Sequence, residues 1–471
     1  MAASSIYWYD FESFGADPRR DRASQFAGLR TDEDLNIIGS PLVLYCKPAD
    51  DFLPSPMASL ITGITPQQAI SEGVTEADFI GRIHNEFIKP QTCVAGYNSI
   101  RFDDELTRQL LYRNFFDPYE REWQGGNSRW DIIDMLRLCA ATRPEGIEWP
   151  RRPDGAVSFR LQDLTEANGI EHSAAHDALA DVHATIAMAR LVRERQPKLF
   201  DYVYRLRDKR QVMAAIDLQK HKPVLHVSGM YPSRWRHLAL VAPLCAHPRN
   251  NNAVIVYDLR QDPGEWLELS VADIRARLFT AGADLPEGVS RIGLKALHSN
   301  RCPVVASPGV LDEDSLGDFG IDLEQSRRHW QLLVQNREHA NKVSRVFREE
   351  HADQETDPDF MIYSGGFFSD NDRSLMRTVR GTSPRDLARL DLPFQDSRLA
   401  EMLFRYRARN YPELLNAEEQ QRWQRWRQKR LEDQERLQRY HEELDQARER
   451  AAPDKQPLLD EVEDYVGKLL T

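Results

Sequence analysis

The chain is poor in cysteine: five in 471 residues (Cys46, Cys93, Cys139, Cys245 and Cys302), each standing alone. Without paired spacing there is no zinc-ribbon or zinc-finger pattern, and without density there is no disulfide framework of a small secreted domain. A reduced, cytoplasmic protein is expected. Long apolar runs are also missing: nowhere do about 18 apolar residues follow one another, and the N-terminus has no basic region leading into an apolar core, so neither membrane insertion nor export is expected. Nor is there an excess of positive charge, because 62 Lys and Arg face 74 Asp and Glu for a formal net charge of −12. That balance excludes a uniformly basic nucleic-acid coat and leaves room for a local basic groove. Internal repeats are absent, and the heptads near the C-terminus are too few and too interrupted for a coiled-coil dimer, so a monomer is expected.

What is present is ordinary for a water-facing protein: 41% hydrophobic residues, 29% charged, mean hydropathy −0.59. The length exceeds what one core usually supports, so two or three domains are expected. Up to about Leu199, short extended segments ("SSIYWYDFES", "QFAGLRTDEDLNIIG" as two strands around a polar turn, "PLVLYCK", "TCVAGYN") mix with amphipathic helices. Phe79, Ile80, Ile83, Phe87 and Ile88 recur at helical spacing, and further helices are expected over 104–115, 131–141 and 175–192. Strands followed by alternating helices predict an α/β sandwich with a mixed sheet. From about Pro223 to Val305, "PVLHVSG", "LALVAPLCAHP", "AVIVYDL" and "RCPVVA" are short β segments between turn residues, a small β domain. Beyond about Asp322 the chain is helical. Trp423, Trp426, Leu437, Tyr440 and Leu444 keep one stripe apolar within a mixed-charge tract, which predicts a solvated helical hairpin packed on the protein.

The opening strand, "WYDFESFG", carries Asp10 and Glu12 two residues apart. Alternation along a strand puts both on one face. A D-x-E pair by itself is more often a polar edge, so further acids matter. "YNSIRFDDE" ends a strand at Tyr97 and Asn98 and opens a helix at Asp103 and Asp104, where the N-terminal partial positive charge favours a carboxylate. "EHSAAHDALADVHATIAMARLV" is a helix with Ser173 a plausible cap. His176 and Asp181 lie five residues apart, about 140° around a helix, so His176 belongs at or before the first turn and Asp181 on the helix proper. Four carboxylates from separate segments repel one another, and burial would protonate them unless a divalent cation neutralises the cluster. Oxygen-only ligands suit Mg²⁺ or Mn²⁺. Two such ions roughly 4 Å apart would stabilise attacking and leaving oxygens in phosphodiester hydrolysis, with His176 as a near-neutral general base.

"DFE" at Asp10–Glu12, "LITGITP" at Leu60–Pro66, "YNSIRFDDE" at Tyr97–Glu105 and "HDALAD" at His176–Asp181 resemble, in order and spacing, the motifs of the DEDDh (DnaQ-like) 3′→5′ exonucleases. The spacing of His176 and Asp181 fits the histidine subclass. "FGADPRRDRASQFAGLRTD", "NSRWDIIDMLR", "RPEGIEWP", "HVSGM", "NRCPV", "GGFFSD" and "LFRYRARNYP" extend the resemblance across nearly the whole chain to bacterial exonuclease I. The resemblance implies a ribonuclease H-like α/β exonuclease domain with a mixed sheet (1–199), an SH3-like β domain (200–350) and a C-terminal all-helical domain (351–471) that together enclose single-stranded DNA. It also implies a Mg²⁺-dependent exonuclease, with two ions and Mn²⁺ as a substitute, that releases 5′-mononucleotides from 3′ ends in DNA repair and recombination. The C-terminal tail of the single-stranded-DNA-binding protein is an implied partner.

By motif match, Asp10, Glu12, Asp103 and Asp181 would be the metal-binding acids and His176 the general base. Asp103 is preferred to Asp104 because the family's acid directly follows the aromatic of "RF-D"; for His172, Asp177 and His183, capping and surface readings suffice. Glu12 and Arg160 match substrate contacts. Arg108, Tyr119, Trp123, Arg137, Arg143, Lys209, Asn252, Lys295, Asn300, Tyr363 and Phe367 match the DNA path. Arg and Lys suit phosphates, and aromatics give stacking platforms worth about 1–3 kcal/mol per base. In "LITGITP", Leu60 and Ile64 would wedge the terminal base while Gly63 allows close backbone approach; a loop entering a helix at Pro66 is equally compatible. An RNA-trimming or proofreading nuclease of the same superfamily usually lacks the β and helical domains. A non-catalytic DNA-binding protein would not need every acid and His176.

Overall fold

A computed structural model describes residues 4–172, 177–336, 338–348 and 355–471. The chain forms two compact units, one built from 1–128, 172–185 and 352–471, the other from 129–171 and 186–351. The C-terminal helices therefore share a unit with the N-terminal strands.

In the first unit, β1 (Ser5–Ser13), β2 (Ala23–Thr31) and β3 (Ile37–Tyr45) form an antiparallel meander. β4 (Thr92–Gly96) runs parallel to β1 on its other edge, which makes the sheet mixed. The segments read as separate strands at "NIIG" and "PLVLYCK" are one strand, β3; Gly39, at φ +80, takes up the irregularity between them. Four helices lie between and after these strands: α1 (Pro56–Thr62), α2 (Pro66–Glu72), α3 (Glu76–Phe87) and α4 (Asp103–Arg113). Thr75 caps α3 through the Asp78 N–H, and the buried Phe79, Ile80, Ile83 and Phe87 on one stripe meet Tyr7, Tyr9 and Phe11 of β1 and Leu106, Leu110 and Leu111 of α4. The odd-numbered residues of β1 thus enter this core, and the even-numbered residues, Asp10 and Glu12 among them, face the other side of the sheet.

The C-terminal part of this unit is helical. Tyr440 and Leu444 of the helix Gln434–Arg450 and Leu459 and Val466 of the helix Gln456–Leu470 pack with Leu53, Met57 and Leu60 at α1. Glu443 accepts hydrogen bonds from the Ser55 hydroxyl and the Met57 N–H at the start of α1. A buried ionic chain ties the same parts together. Asp51 lies 3.0 Å from Arg22 and 2.9 Å from Arg409, and Asp359 joins Arg409 to Arg405.

The chain passes into the second unit at β5 (Ser128–Asp131). α5 (Ile133–Thr142) and α6 (Leu161–Ala167) follow, and α7 (Ala178–Arg195) begins in the first unit. An antiparallel sheet, ordered β10-β6-β7-β8-β9, is formed by β6 (Val224–Val227), β7 (Leu238–Ala246), β8 (Ala253–Asp258), β9 (Leu294–His298) and β10 (Val304–Ala306). Val224, Ala239, Val241, Val254, Val256 and Val305 form its core with Leu206, Val212 and Ile216.

Candidate active site

β1 presents Asp10 and Glu12 on one face because Tyr9 and Phe11 are held in the core on the other. Glu12 lies opposite Gln25 of β2, and the Gln25 side chain accepts the N–H of Ala178 at 3.2 Å, which docks the start of α7 on this face. Asp177 caps α7, accepting the Ala180 N–H at 3.0 Å. Asp181 then projects from the first turn, where the helix dipole favours its charge. Donor oxygens of Asp10, Glu12 and Asp181 all lie within 4.8 Å of one another.

Asp103 takes a different position. β4 pairs with β1 only as far as Trp8, and beyond it the N–H of Phe11 donates to Asp103 Oδ1 at 3.1 Å. The carboxylate is thus tied to the strand that carries Asp10 and Glu12, yet it stands outside the set whose oxygens lie within 4.8 Å. Its neighbour Asp104 is engaged by buried Arg121 and by the Tyr9 hydroxyl. His176 and the proposed cap Ser173 lie outside the described residues.

Electrostatics reflect the crowding. Burial above all, then repulsion from Asp103, Glu12 and Asp181, pushes the Asp10 carboxyl well above its ordinary range. Glu12 is pushed up to about 9, by burial first and then by Asp181 and Asp103. Carboxylates so placed either hold protons or share a cation. An all-oxygen donor set on a strand and a helix start fits a hard divalent ion of the Mg²⁺ or Mn²⁺ kind.

One neighbour of this cluster departs from the capping or surface role expected of it from the sequence. His172, with its side chain only 3% exposed, places Nε2 2.6 Å from Asp181 Oδ1. A lone histidine nine residues before Asp181, in a loop, carries no periodic signal.

The residues matched to a DNA path fall into both units. In the first, Trp123, Tyr363 and Phe367 are 67%, 48% and 82% exposed. Phe367 stands edge-on to Tyr119 at 6.0 Å, and the Arg108 guanidinium lies 5.4 Å from the Tyr119 ring while paired to Glu122 at 2.8 Å. Tyr363 donates to Glu105, and Arg19, which the sequence reading passed over, lies 5.5 Å from the Tyr363 ring. In "LITGITP", Gly63 at φ +74 ends α1, Thr65 and Pro66 start α2, and Ile64 is buried with Phe14, Phe52 and Ala69. Leu60 packs against the C-terminal helices, so the exposed apolar side chain of this segment is Ile61 rather than Leu60 or Ile64.

In the second unit Arg160 is exposed and lines, with Arg137, Phe159 and two further arginines, Arg151 and Arg152, a cavity of about 890 Å³. Arg137 pairs with Asp134 at 2.6 Å and lies 5.7 Å from the Phe159 ring. Arg143 donates to the Val310 carbonyl at 3.2 Å. Lys209 donates to Asn252 at 3.2 Å, Lys295 on β9 lies 4.5 Å from the Tyr231 ring, and the Asn300 carbonyl accepts from Arg129 at 2.6 Å.

Comparison with known proteins accounts for the whole chain. Residues 7–189 match an exonuclease family, 207–349 the exonuclease I SH3-like domain, and 356–469 the exonuclease I C-terminal domain. The chain is 49% identical over 455 residues to exodeoxyribonuclease I of Escherichia coli K12, covering 96% of this chain and 95% of that one. The solved structure of E. coli exonuclease I with a dA16 oligonucleotide superposes with a TM-score of 0.95 at 48% identity, covering 99% of this chain and 100% of that one. A zinc-bound form of the E. coli ExoI–ssDNA complex gives a TM-score of 0.95 at 46% identity, with full coverage of both chains. An SSB/exonuclease I structure with an inhibitor gives 0.91 at 46% identity, covering 99% of this chain and 100% of that one. By the extent and identity of these matches, the chain belongs to the bacterial exonuclease I family, a metal-dependent branch of the DnaQ-like exonucleases.

Proposed function

We propose that this protein hydrolyses single-stranded DNA from its 3′ end, releasing 5′-mononucleotides, with Asp10, Glu12 and Asp181 holding divalent metal at the reacting phosphate. The observation that carries the reading is the convergence of these three carboxylates within 4.8 Å, on a strand and a helix that belong to the family's exonuclease segment. Two Mg²⁺ ions, with Mn²⁺ as substitute, would supply an activated water and charge neutralisation at the attacking and leaving oxygens. The chain's own groups do the rest. Asp10 and Glu12 share a face fixed by the core packing of β1, and Asp181 approaches from the capped start of α7. Asp103, tied to the Phe11 N–H, adds negative charge beside Asp10 and completes the acidic set as an outlying member. His176 takes the proton from the attacking water.

Single-stranded DNA would be held by two kinds of contact. Tyr119, Trp123, Tyr363 and Phe367, three of them openly exposed, suit base stacking, with the Arg108 guanidinium against the Tyr119 ring. In the second unit, Arg137, Arg143, Arg160, Lys209 and Lys295, with Asn252 and Asn300, suit phosphates and sugars. The oligonucleotide and SSB complexes of the relatives support single-stranded DNA and the single-stranded-DNA-binding protein as partners, the latter proposed to dock by its C-terminal tail. A monomer acting in the cytoplasm in DNA repair and recombination, with domain boundaries near 199 and 350, completes the proposal. Among the described residues no helix is long and apolar enough to cross a membrane.

The test uses end-labelled single-stranded DNA, duplex DNA and RNA with Mg²⁺, comparing the wild type with Asp181→Ala. Stepwise loss from the 3′ end of single-stranded DNA, abolished in the variant, is expected. Faster trimming of RNA, or a fully active variant, would overturn the reading.

A further inference from the structure

We infer that His172 is a positioning residue that fixes the rotamer of Asp181 for metal binding. The side chain of His172 is buried, and its Nε2 sits 2.6 Å from Asp181 Oδ1. An ionised carboxylate only accepts, so the imidazole donates in this contact and orients one oxygen while lone pairs remain for a cation. The backbone of Asp181 is already placed, because Gln25 and Asp177 pin the first turn of α7. His172 acts on the side chain itself, through its 2.6 Å contact with Oδ1. Asp103 offers a parallel within the same cluster: its carboxylate is oriented by the Phe11 N–H. Outer groups that hydrogen-bond metal-binding carboxylates typically matter about 10–100-fold for metal affinity or activity.

The inference rests on the metal-centre reading, and the two fail differently. His172→Gln and His172→Met differ little in size, and only Gln keeps an N–H donor. Mn²⁺ binding is titrated by electron paramagnetic resonance without DNA, beside wild type and Asp181→Ala, and kcat and KM are then measured on single-stranded DNA. His172→Met is expected to bind Mn²⁺ about 10–100-fold more weakly and to lose kcat with KM unchanged, while His172→Gln stays within about threefold of wild type. Equal behaviour of the two variants, whether both like wild type or both impaired, would overturn the positioning role and leave only packing. Undiminished Mn²⁺ binding by Asp181→Ala would instead overturn the metal centre itself.

Discussion

Glu12 shows how a carboxylate in a buried acidic cluster opposes the stability of the fold that carries it. Its carboxyl goes from an ordinary 4.5 to about 9, by burial first and then by repulsion from Asp181 and Asp103. A value raised in the folded state means stability that is present below about pH 4.5 and is lost as the pH rises toward 9 in the metal-free protein. Removing the charge should relieve that loss. Glu12→Gln is expected to raise the metal-free Tm by a few degrees at pH 8 and to change it little at pH 4.5. Millimolar Mg²⁺ should raise the Tm of wild type at pH 8 and leave the variant almost unmoved. Thermal unfolding at both pH values, with EDTA or Mg²⁺, checks this; an unchanged or lower metal-free Tm for Glu12→Gln at pH 8 contradicts it.

At the scale of elements, buried ion pairs set where the acid limit of the fold lies. Burial alone would raise Glu76 at the start of α3, yet buried Arg113, 2.9 Å away at the end of α4, brings its carboxyl down from 4.5 to about 2. A depressed value contributes stability above about pH 4.5 that is lost as the pH falls toward 2, on the order of 3 kcal/mol. In urea unfolding, Glu76→Gln should therefore be less stable than wild type at pH 7, and the difference should shrink by pH 3; a gap that stays constant with pH contradicts the assignment. Of these elements, β1 and α3 were legible from the sequence, because period-2 alternation and a 3.6-residue stripe each survive in one short window. β9, "LKALH", was not, since it is short and lacks β-branched residues. The ionic chain through Asp51, Arg409 and Asp359 joins residues more than three hundred positions apart, which no local pattern records. His172 was hidden for the same reason at shorter range: its contact with Asp181 spans nine positions and follows no helical or strand period. The shared face of Asp10 and Glu12 was legible from strand alternation within one motif, and the helix that carries Asp181 from its apolar pattern.

For the whole molecule, specificity for a single strand is expected to reside in surfaces that folding does not need. Phe367 is 82% exposed, so its ring adds little to the core. Phe367→Ala should weaken binding of an oligothymidylate in EDTA by about 1–3 kcal/mol, roughly 5- to 150-fold, at an unchanged Tm. Fluorescence anisotropy measures the loss, and affinity within twofold of wild type contradicts a stacking role. The central claim, that three carboxylates on β1 and α7 share divalent metal, is tested most directly by anomalous scattering from crystals soaked in Mn²⁺. The expected result is a peak within coordination distance of Asp10, Glu12 and Asp181. No peak there at saturating Mn²⁺, or ordered metal only elsewhere, would contradict it.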